Sequence, residues 1–310
     1  MSDRVDTFKY RTVLALFGLM GRLPAFISNR LARWLGALAF RLDRKHRGIV
    51  LDNLARAFGH EKSRPEIEAI ARRVFENSAK MIFEIGWYTR LLPADIPARI
   101  RLDGFENFQQ ALSRGRGLFA LTGHMGNWEL LPAAATLADF KAAFVYRPLD
   151  SSALDLFFAS QRTRFGAKMI PSARAMRKII RHVDSGGSVF LLMDQNVDWY
   201  EGVFVDFFGH RACTNKGLAI MALKTKAPVV PVFLVREPDG YRVIFEKEIP
   251  LIDTGDPIRD VEENTRQYNE AIERIIRRYP DQWFWMHQRW KTKPWCDIAD
   301  NPWKRRPPRH

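Results

Sequence analysis

Residues 117–131 read GLFALTGHMGNWELL, and they begin with a short apolar run that ends at Thr122. This order of residues predicts a buried strand, a glycine-containing loop and then a helix. His124 lies in the loop, Asn127 is the candidate N-cap, and Glu129 falls in the first helical turn, where the helix dipole favours a carboxylate. The sequence therefore predicts an imidazole and a carboxylate that face each other from adjacent elements.

An imidazole held at one ring nitrogen by a carboxylate can accept a proton from a hydroxyl group at the other nitrogen. We therefore predict that His124 is a general base and that Glu129 orients it. In a chain rich in arginine and apolar residues, such a base favours acyl transfer to an alcohol at a membrane. A histidine with a glutamate nearby is also common by chance, so this pattern alone does not establish catalysis.

The remaining histidines and serines give no pattern typical of other catalytic sites. None of the seven histidines pairs with another histidine or with a cysteine at ligand spacing, so we expect no metal. The Gly-x-Ser-x-Gly elbow of the serine hydrolases is absent from the sequence. What remains is a direct, metal-free transfer with His124 as the base.

Helix and strand patterns alternate along the rest of the chain. Strands are predicted at 99–102, 117–121, 142–146, 188–193, 229–236 and 241–245. Helices are predicted at 47–59, 65–92, 105–113, 129–138, 154–165, 174–184, 214–224 and 261–279. This alternation predicts an α/β fold with a mixed, mostly parallel central sheet flanked by helices. Ligands of such sheets bind at the carboxyl ends of strands, where His124, Arg147 and Asp194 fall.

The N-terminal residues are apolar and basic. The apolar run at 12–21 is interrupted by Arg22, so it is shorter than the ~20 residues of a membrane span, and no signal-peptide cleavage site follows. Residues 27–42 place six apolar side chains at helical spacing, with arginines among them and a basic cluster behind. This pattern fits an interfacial helix at an anionic membrane and an ordinary core-packing helix equally well, and the basic cluster favours the cytoplasmic side. The six are Ile27, Leu31, Trp34, Leu35, Leu38 and Leu42.

The chain is strongly basic, with 49 Lys and Arg against 35 Asp and Glu and a formal net charge of +14. Such a surface suits nucleic acid, an anionic membrane or an acidic protein, although a merely soluble basic protein is also possible. No nucleic-acid-binding signature is found, so we expect no nucleic acid partner. The two cysteines, Cys213 and Cys296, fit a reducing compartment better than a disulfide framework.

Several blocks in a constant order resemble the bacterial lipid A late acyltransferases, the lauroyl and myristoyl transferases of lipopolysaccharide biosynthesis, within the glycerophospholipid acyltransferase superfamily. The first block is the His-x4-Glu element formed by His124 and Glu129. The resemblance covers roughly residues 50–295. Its later blocks are VYRP at 145–148, RTRFG at 162–166, MDQN at 193–196, EGVFVDFFG at 201–209, APVVP at 227–231 and DQWFWMHQRWKTKP at 281–294.

The resemblance implies a glycerol-3-phosphate acyltransferase-like α/β fold with an N-terminal membrane-associated helix. It divides the chain into an anchor or interfacial segment (1–45), an acyltransferase domain (46–298) and a basic C-terminal tail (299–310). It implies transfer of a fatty acyl chain from an acyl carrier protein thioester to a hydroxyl of an acyl chain on a Kdo-lipid A precursor. No cofactor is expected. The expected partners are the acyl carrier protein, the lipid A precursor and the anionic inner membrane, at whose cytoplasmic face the reaction would occur.

The resemblance also implies a set of substrate-binding residues. Arg147 and Arg164 resemble arginines that bind phosphate or carboxylate in the superfamily, although a surface ion pair would explain either one. Val203 and Phe204 replace the Thr and Arg of the phosphatidic-acid enzymes, which disfavours a glycerol phosphate acceptor. The full set of substrate-binding candidates is Asn127, Arg147, Arg164, Asp194, Gln195, Glu201 and Gly202.

Two other functions remain open at this point. A phosphatidylinositol mannoside acyltransferase would use the same His-x4-Glu chemistry with a coenzyme A donor. A non-catalytic peripheral lipid-binding protein would need neither His124 nor Glu129. The aromatic residues at 283–290 form either a membrane-facing lip or a buried cluster, and burial is favoured, with His287 expected to have a packing role.

Overall fold

The computed structural model describes residues 7–138 and 141–294, so the predicted basic tail and Cys296 lie outside the described residues. The helices are α1 (Thr7–Met20), α2 (Ala25–Leu42), α3 (Arg44–Phe58), α4 (Arg64–Tyr88), α5 (Ile96–Arg99), α6 (Phe105–Leu112), α7 (Leu131–Ala134), α8 (Ser152–Thr163), α9 (Met176–Asp184), α10 (Gly217–Thr225) and α11 (Pro257–Arg278). The strands are β1 (Ile100–Asp103), β2 (Leu118–Thr122), β3 (Ala142–Tyr146), β4 (Lys168–Pro171), β5 (Ser188–Leu192), β6 (Gly202–Phe207), β7 (His210–Asn215), β8 (Val229–Glu237) and β9 (Gly240–Phe245).

A seven-stranded sheet in the order β1-β9-β8-β2-β5-β3-β4 organises the molecule. Strands β8, β2, β5, β3 and β4 run parallel to one another, and the turn from β8 to β9 reverses the direction for β9 and β1. Strands β6 and β7 form a separate antiparallel hairpin. The fold is therefore α/β with a mixed, mostly parallel central sheet, as the sequence predicts.

Helices cover both faces of the central sheet and enclose two hydrophobic cores. One core joins α3, α9, α10 and α11 to the sheet, and the other lies beneath α6 and α7. Every residue of β2 is buried, which is typical of a parallel strand that is covered on both sides. This burial explains why the strand at 118–122 has no polar side chain before Thr122.

Most predicted strands and helices are found within a few residues of their predicted bounds, but three regions differ. Strand β4 and the β6–β7 hairpin were not predicted, and β7 occupies the first residues of the helix predicted at 214–224. The helix predicted at 129–138 is broken into two 3₁₀ turns with the single turn of α7 between them. Pro132 accounts for the break because it has no N–H to donate to the preceding turn.

Helices α1 and α2 pack on the body through close backbone contacts. A Cβ atom on Gly21 would lie 2.2 Å from the carbonyl oxygen of Gly86, and one on Gly36 would lie 2.5 Å from the Cα of Glu76, so both glycines allow contact with α4. Within the described residues, no helix on its own has the length and apolarity needed to cross a bilayer. Helices α1 and α2 meet that requirement only as a pair, and the pair is bent by 112°.

The apolar stripe predicted on α2 faces away from the protein. The buried side of the helix carries small or well-packed residues, namely Ala32, Gly36 and Phe40. Large apolar side chains occupy the opposite side, where Trp34 is 62% and Leu42 is 71% exposed. The core-packing interpretation is therefore wrong for the stripe itself, because a different set of residues makes the contacts with α4.

Candidate active site

The parallel pairing of β2 with β5 brings His124 beside Asp194. Thr122, the last residue of β2, pairs in register with Leu192, the last residue of β5. The two chains leave the sheet side by side, and the Nδ1 atom of His124 lies 2.8 Å from Oδ1 of Asp194. The carboxyl ends of two neighbouring strands thus form a histidine–aspartate pair.

Asp194 is fully buried and is held by three hydrogen-bond donors. Besides the His124 ring, the backbone N–H of His124 donates to Oδ2 at 2.9 Å, and the indole N–H of Trp283 donates to Oδ2 at 2.6 Å. Burial alone would raise the pKa of Asp194, but attraction to His124 and these hydrogen bonds outweigh it and lower the pKa to about 2. Asp194 is therefore ionised at neutral pH.

An ionised carboxylate accepts hydrogen bonds but cannot donate one, so the proton of the neutral imidazole lies on Nδ1. The Nε2 atom of His124 then carries the lone pair that can accept a proton. Its neighbour is the side-chain amide nitrogen of Gln195, at 3.5 Å. His124 and Gln195 both line a cavity, so this acceptor is accessible to a ligand within it.

Glu129 makes no hydrogen bond or ion pair with His124, so the predicted His124–Glu129 pair is wrong. Both carboxylate oxygens of Glu129 accept hydrogen bonds from Arg162, from Nε and from Nη2, each at 2.7 Å. Arg162 also lies over the rings of Tyr146 and Phe158. The broken helix explains the error, since it places the Glu129 carboxylate towards α8 rather than towards the histidine loop.

The cavity has a volume of about 730 Å³, which is in the range of small-molecule sites. Its polar lining includes His124, Glu129, Arg162, Arg147 and Gln195. Most of the remaining lining is aliphatic or aromatic. A proton acceptor therefore opens onto a space suited to a largely apolar ligand.

The C-terminal segment at 281–290 packs against the histidine loop and Asp194 and lies outside the cavity lining. The carbonyl of His124 accepts a hydrogen bond from the N–H of Phe284 at 3.0 Å, and the N–H of Gly126 donates to the carbonyl of Gln282 at 2.9 Å. Gly126 has φ +56°, and a Cβ there would lie 2.5 Å from the Leu234 carbonyl oxygen, so only glycine fits. This segment fixes both sides of the histidine loop.

The aromatic residues of this segment are mostly buried, as predicted. Trp283, Trp285 and Trp290 are each at most 6% exposed. His287 accepts a hydrogen bond at Nε2 from the N–H of Asn196 at 2.8 Å. Burial lowers the pKa of His287 to about 4. A neutral His287 thus supports the loop that follows Asp194, in agreement with its predicted packing role.

Only some of the predicted substrate-binding residues line the cavity. Arg147 and Gln195 line the cavity. Arg164 does not, because its guanidinium donates to the carbonyls of Tyr88, Thr89 and Leu91 and so caps the end of α4. The substrate-binding role predicted for Arg164 therefore gains no support from its position.

The other predicted contacts also lie outside the cavity lining. Asp194 is buried behind His124 and holds the imidazole instead of contacting a ligand. Glu201 lies in an exposed turn and Gly202 starts β6, where a Cβ would lie 2.5 Å from the Cys213 sulfur. Asn127 is fully buried, its side chain makes no helix-capping hydrogen bond, and neither of its side-chain polar atoms has a partner among the described residues.

Two residues of the site were missed from the sequence. Arg162 is within the quoted RTRFG block, but Arg164 was predicted as the substrate-binding arginine of that block. Residues two apart on a helix point to opposite sides, so only one of the two could face the site. No local sequence pattern predicts the role of Trp283, because its indole N–H contacts a carboxylate 89 residues away in sequence.

The fold and the site together define an α/β protein with a histidine–aspartate pair beside a mostly apolar cavity at the carboxyl edge of its sheet. The chain belongs to the bacterial lipid A biosynthesis acyltransferase family, whose sequence profile matches residues 3–292. The family recognised from the sequence blocks is therefore confirmed.

Individual relatives show the same similarity. The chain is 27% identical over 275 residues to the lipid A biosynthesis acyltransferase of Haemophilus influenzae, covering 88% of this chain and 83% of that protein. It is 26% identical over 284 residues to the lipid A biosynthesis lauroyltransferase of Escherichia coli, covering 91% and 90%. It is 26% identical over 201 residues to the phosphatidylinositol mannoside acyltransferase of Mycolicibacterium smegmatis, covering 63% of this chain and 62% of that protein.

Proposed function

We propose that this protein transfers a fatty acyl chain from an acyl carrier protein thioester to a hydroxyl of an acyl chain on a Kdo-lipid A precursor. The observation that carries the proposal is the 2.8 Å contact between His124 Nδ1 and Asp194 beside the apolar cavity. Family membership and the two lipid A relatives support the choice of a fatty acyl group as the group transferred and of a lipid A precursor as the acceptor.

The transfer follows from the position of the imidazole. The Nε2 atom of His124 takes the proton of the acceptor hydroxyl while its oxygen attacks the thioester carbonyl carbon. The tetrahedral oxyanion then collapses, the C–S bond breaks, and the thiolate takes the proton from the imidazolium. Asp194 stabilises the imidazolium between these two steps. General-base assistance of this kind contributes ~10²–10⁴-fold to a rate.

We assign Glu129 a role that acts through Arg162. The two-point contact fixes the guanidinium on the cavity wall, in the planar geometry that arginine and carboxylate share. The positive charge is then available to the carbonyl oxygen of the thioester as it becomes negative. Arg147 lines the same cavity and is exposed, which suits contact with a phosphate of the acceptor.

We propose that the protein works at the cytoplasmic face of the inner membrane, with α2 in the interface. The outward stripe on α2 is a continuous apolar surface with arginines beside it, which suits an anionic bilayer. The formal charge of +14 favours both that bilayer and an acidic carrier protein. No cofactor has a part in this mechanism.

The direct test is an assay of purified protein with acyl carrier protein thioesters and a tetra-acylated Kdo-lipid A acceptor. We expect a product that carries one additional acyl group, and none from His124→Ala. Acyl coenzyme A with a phosphatidylinositol mannoside is the competing substrate pair. Product from that pair alone would replace the proposed substrates, and equal product from wild type and His124→Ala would reject the base.

A further inference from the structure

Helix α9 and the turn before it carry a cluster of exposed basic side chains. Arg177, Lys178 and Arg181 project from the outer face of the helix, whose inner face is buried through residues such as Ile179. Arg174 is exposed in the turn that leads into the helix. We call these four basic residues the α9 basic surface.

The charges of the α9 basic surface are not neutralised within the protein. None of its four side chains forms an ion pair or a hydrogen bond with another residue in the described part of the chain. Arg177 and Arg181 are one helical turn apart, so their like charges repel. The first turn of α9 contains no acidic residue, although the helix dipole favours one there. The arrangement is unfavourable for α9 itself, which indicates contact with an anionic partner.

The α9 basic surface begins at the mouth of the active-site cavity. Arg174 and Met176 both line the cavity, and both are exposed, Met176 by 42%. Arg174 has φ +53°, a left-handed conformation that costs energy for a residue with a Cβ atom. A partner bound to Arg177 and Lys178 would therefore lie next to the entrance of the cavity.

The α9 basic surface is on the opposite face of the sheet from α8 and α1. The chain moves outward along the sheet from β3 to β4 and back from β4 to β5, so right-handed connections place α8 and α9 on opposite faces. In agreement, Ile179 of α9 and Phe165, which follows α8, pack in different cores. Helix α1 covers α8, where the rings of Phe17 and Phe157 stack with centroids 4.7 Å apart. A partner of α9 therefore approaches the face opposite to α1.

The composition of the α9 basic surface suits an acidic protein better than a bilayer. A helix that binds in a membrane interface presents a stripe of apolar side chains beside its charges, as α2 does. Every residue of α9 is described, and Met176 is the one large apolar side chain that is exposed there. Charge with little apolar area is typical of a surface that attracts and orients a soluble partner of opposite charge.

We propose that the α9 basic surface is the docking site of the acidic carrier protein that delivers the acyl thioester. Acidic side chains of the carrier pair with Arg177, Lys178 and Arg181, and the thioester enters the cavity past Arg174 and Met176. Docking holds the thioester at the cavity entrance and so raises its effective concentration there. This assignment rests on the proposed acyl transfer and adds the surface that recognises the donor.

The test compares two double variants that change the net charge equally. Arg177→Glu with Lys178→Glu reverses charges on the α9 basic surface. The control, Arg101→Glu with Arg116→Glu, reverses two exposed arginines elsewhere, and Arg116 precedes β2 and so lies at the sheet edge far from His124. Both are assayed with dodecanoyl acyl carrier protein and with dodecanoyl pantetheine, which is the same thioester without the carrier.

We expect the KM of the carrier-linked donor to rise by ~10-fold or more in the α9 variant only. The KM values of dodecanoyl pantetheine and of the acceptor should match those of the wild type. Thermal melts check folding, which the α9 variant should retain because glutamates suit the first turn of a helix. A donor KM that is unchanged in the folded α9 variant, or raised equally in the control, overturns the docking site.

A binding measurement separates docking from catalysis. Fluorescence anisotropy of dye-labelled dodecanoyl acyl carrier protein gives its Kd, which should rise by ~10-fold or more in the α9 variant only. If the α9 variant keeps its carrier affinity but loses binding to phosphatidylglycerol vesicles, the surface belongs to the bilayer, and the docking site is rejected. A raised acceptor KM with unchanged carrier affinity rejects it in favour of the acceptor phosphates. A wild-type protein that binds the carrier through α9 but gives no product refutes the proposed function and leaves the docking site intact.

Discussion

His124 and Asp194 occupy matching positions, because each lies two residues beyond a strand end, and those ends, Thr122 and Leu192, are paired in register. The pair is therefore a direct product of strand order. A shift of one residue in the register between β2 and β5 would turn one of the two side chains to the other face of the sheet. The geometry of the candidate base is thus fixed by two largely buried strands.

Removing the charge of Asp194 should reduce turnover strongly. In Asp194→Asn the amide can donate to Nδ1, which moves the imidazole proton to Nε2 and blocks the acceptor position. We expect kcat to fall by ~10²–10⁴-fold, measured with saturating donor and acceptor. Asp198→Asn, a change of an exposed carboxylate in the same loop, is the control. An Asp194→Asn enzyme with wild-type kcat would show that Asp194 does not orient the base.

The indole of Trp283 should stabilise the protein through its hydrogen bond to Asp194. Trp283→Phe keeps an aromatic ring but removes a donor to a buried charge, which is worth ~1.5–3 kcal/mol. The free energy of unfolding, measured with urea at neutral pH, should fall by that amount. Trp285→Phe is the matched control, since that indole donates to the neutral carbonyl of Pro280. Equal losses in the two variants would argue against a special contribution from the charged contact.

Glu129 should be energetically coupled to Arg162 and not to His124. A double-mutant cycle of Glu129→Gln with Arg162→Gln should give a coupling energy of roughly 0.5–3 kcal/mol in stability. The cycle of Glu129→Gln with His124→Ala should give a value near zero, because no hydrogen bond or ion pair joins those side chains. Chemical denaturation of the single and double variants supplies both values. A large coupling with His124 would restore the pairing expected from the sequence.

Stability should fall in mild acid because of His287. Its folded pKa of about 4 lies below the ordinary value of 6.5, so the unfolded chain binds more protons between these pH values. Stability therefore decreases as the pH falls from 6.5 towards 4. Urea midpoints at pH 7 and pH 5 should differ in the wild type, and His287→Gln should narrow that difference. A variant with the full wild-type difference would assign the acid sensitivity to another group.

The outward stripe of α2 should bind anionic vesicles. Trp34→Glu places a charge on that stripe, so co-sedimentation with phosphatidylglycerol vesicles should decrease markedly. Ile258→Glu makes the same kind of change at a side chain that is 73% exposed on α11, and it should bind as the wild type does. Equal binding by both variants would remove α2 from the proposed interface.

Much of the sheet could be predicted because its strands are short apolar runs. Residues 142–146 were predicted without error, and the position of His124 at a strand end followed from residues 117–131 alone. The partner of His124 could not be predicted, since it depends on β5 rather than β3 lying next to β2. That order is a property of packing and leaves no local signal. Strand β4 was missed for a similar reason, because its four residues form an edge with little apolar pattern.

The segment at 281–290 holds the histidine loop from the far end of the chain. During synthesis, residues 117–131 leave the ribosome long before the segment that fixes their geometry. A nascent or prematurely terminated polypeptide therefore lacks the indole that supports Asp194 and the backbone contacts of Phe284 and Gln282. An unfinished copy of the protein therefore cannot hold His124 and Asp194 in the arrangement of the complete fold.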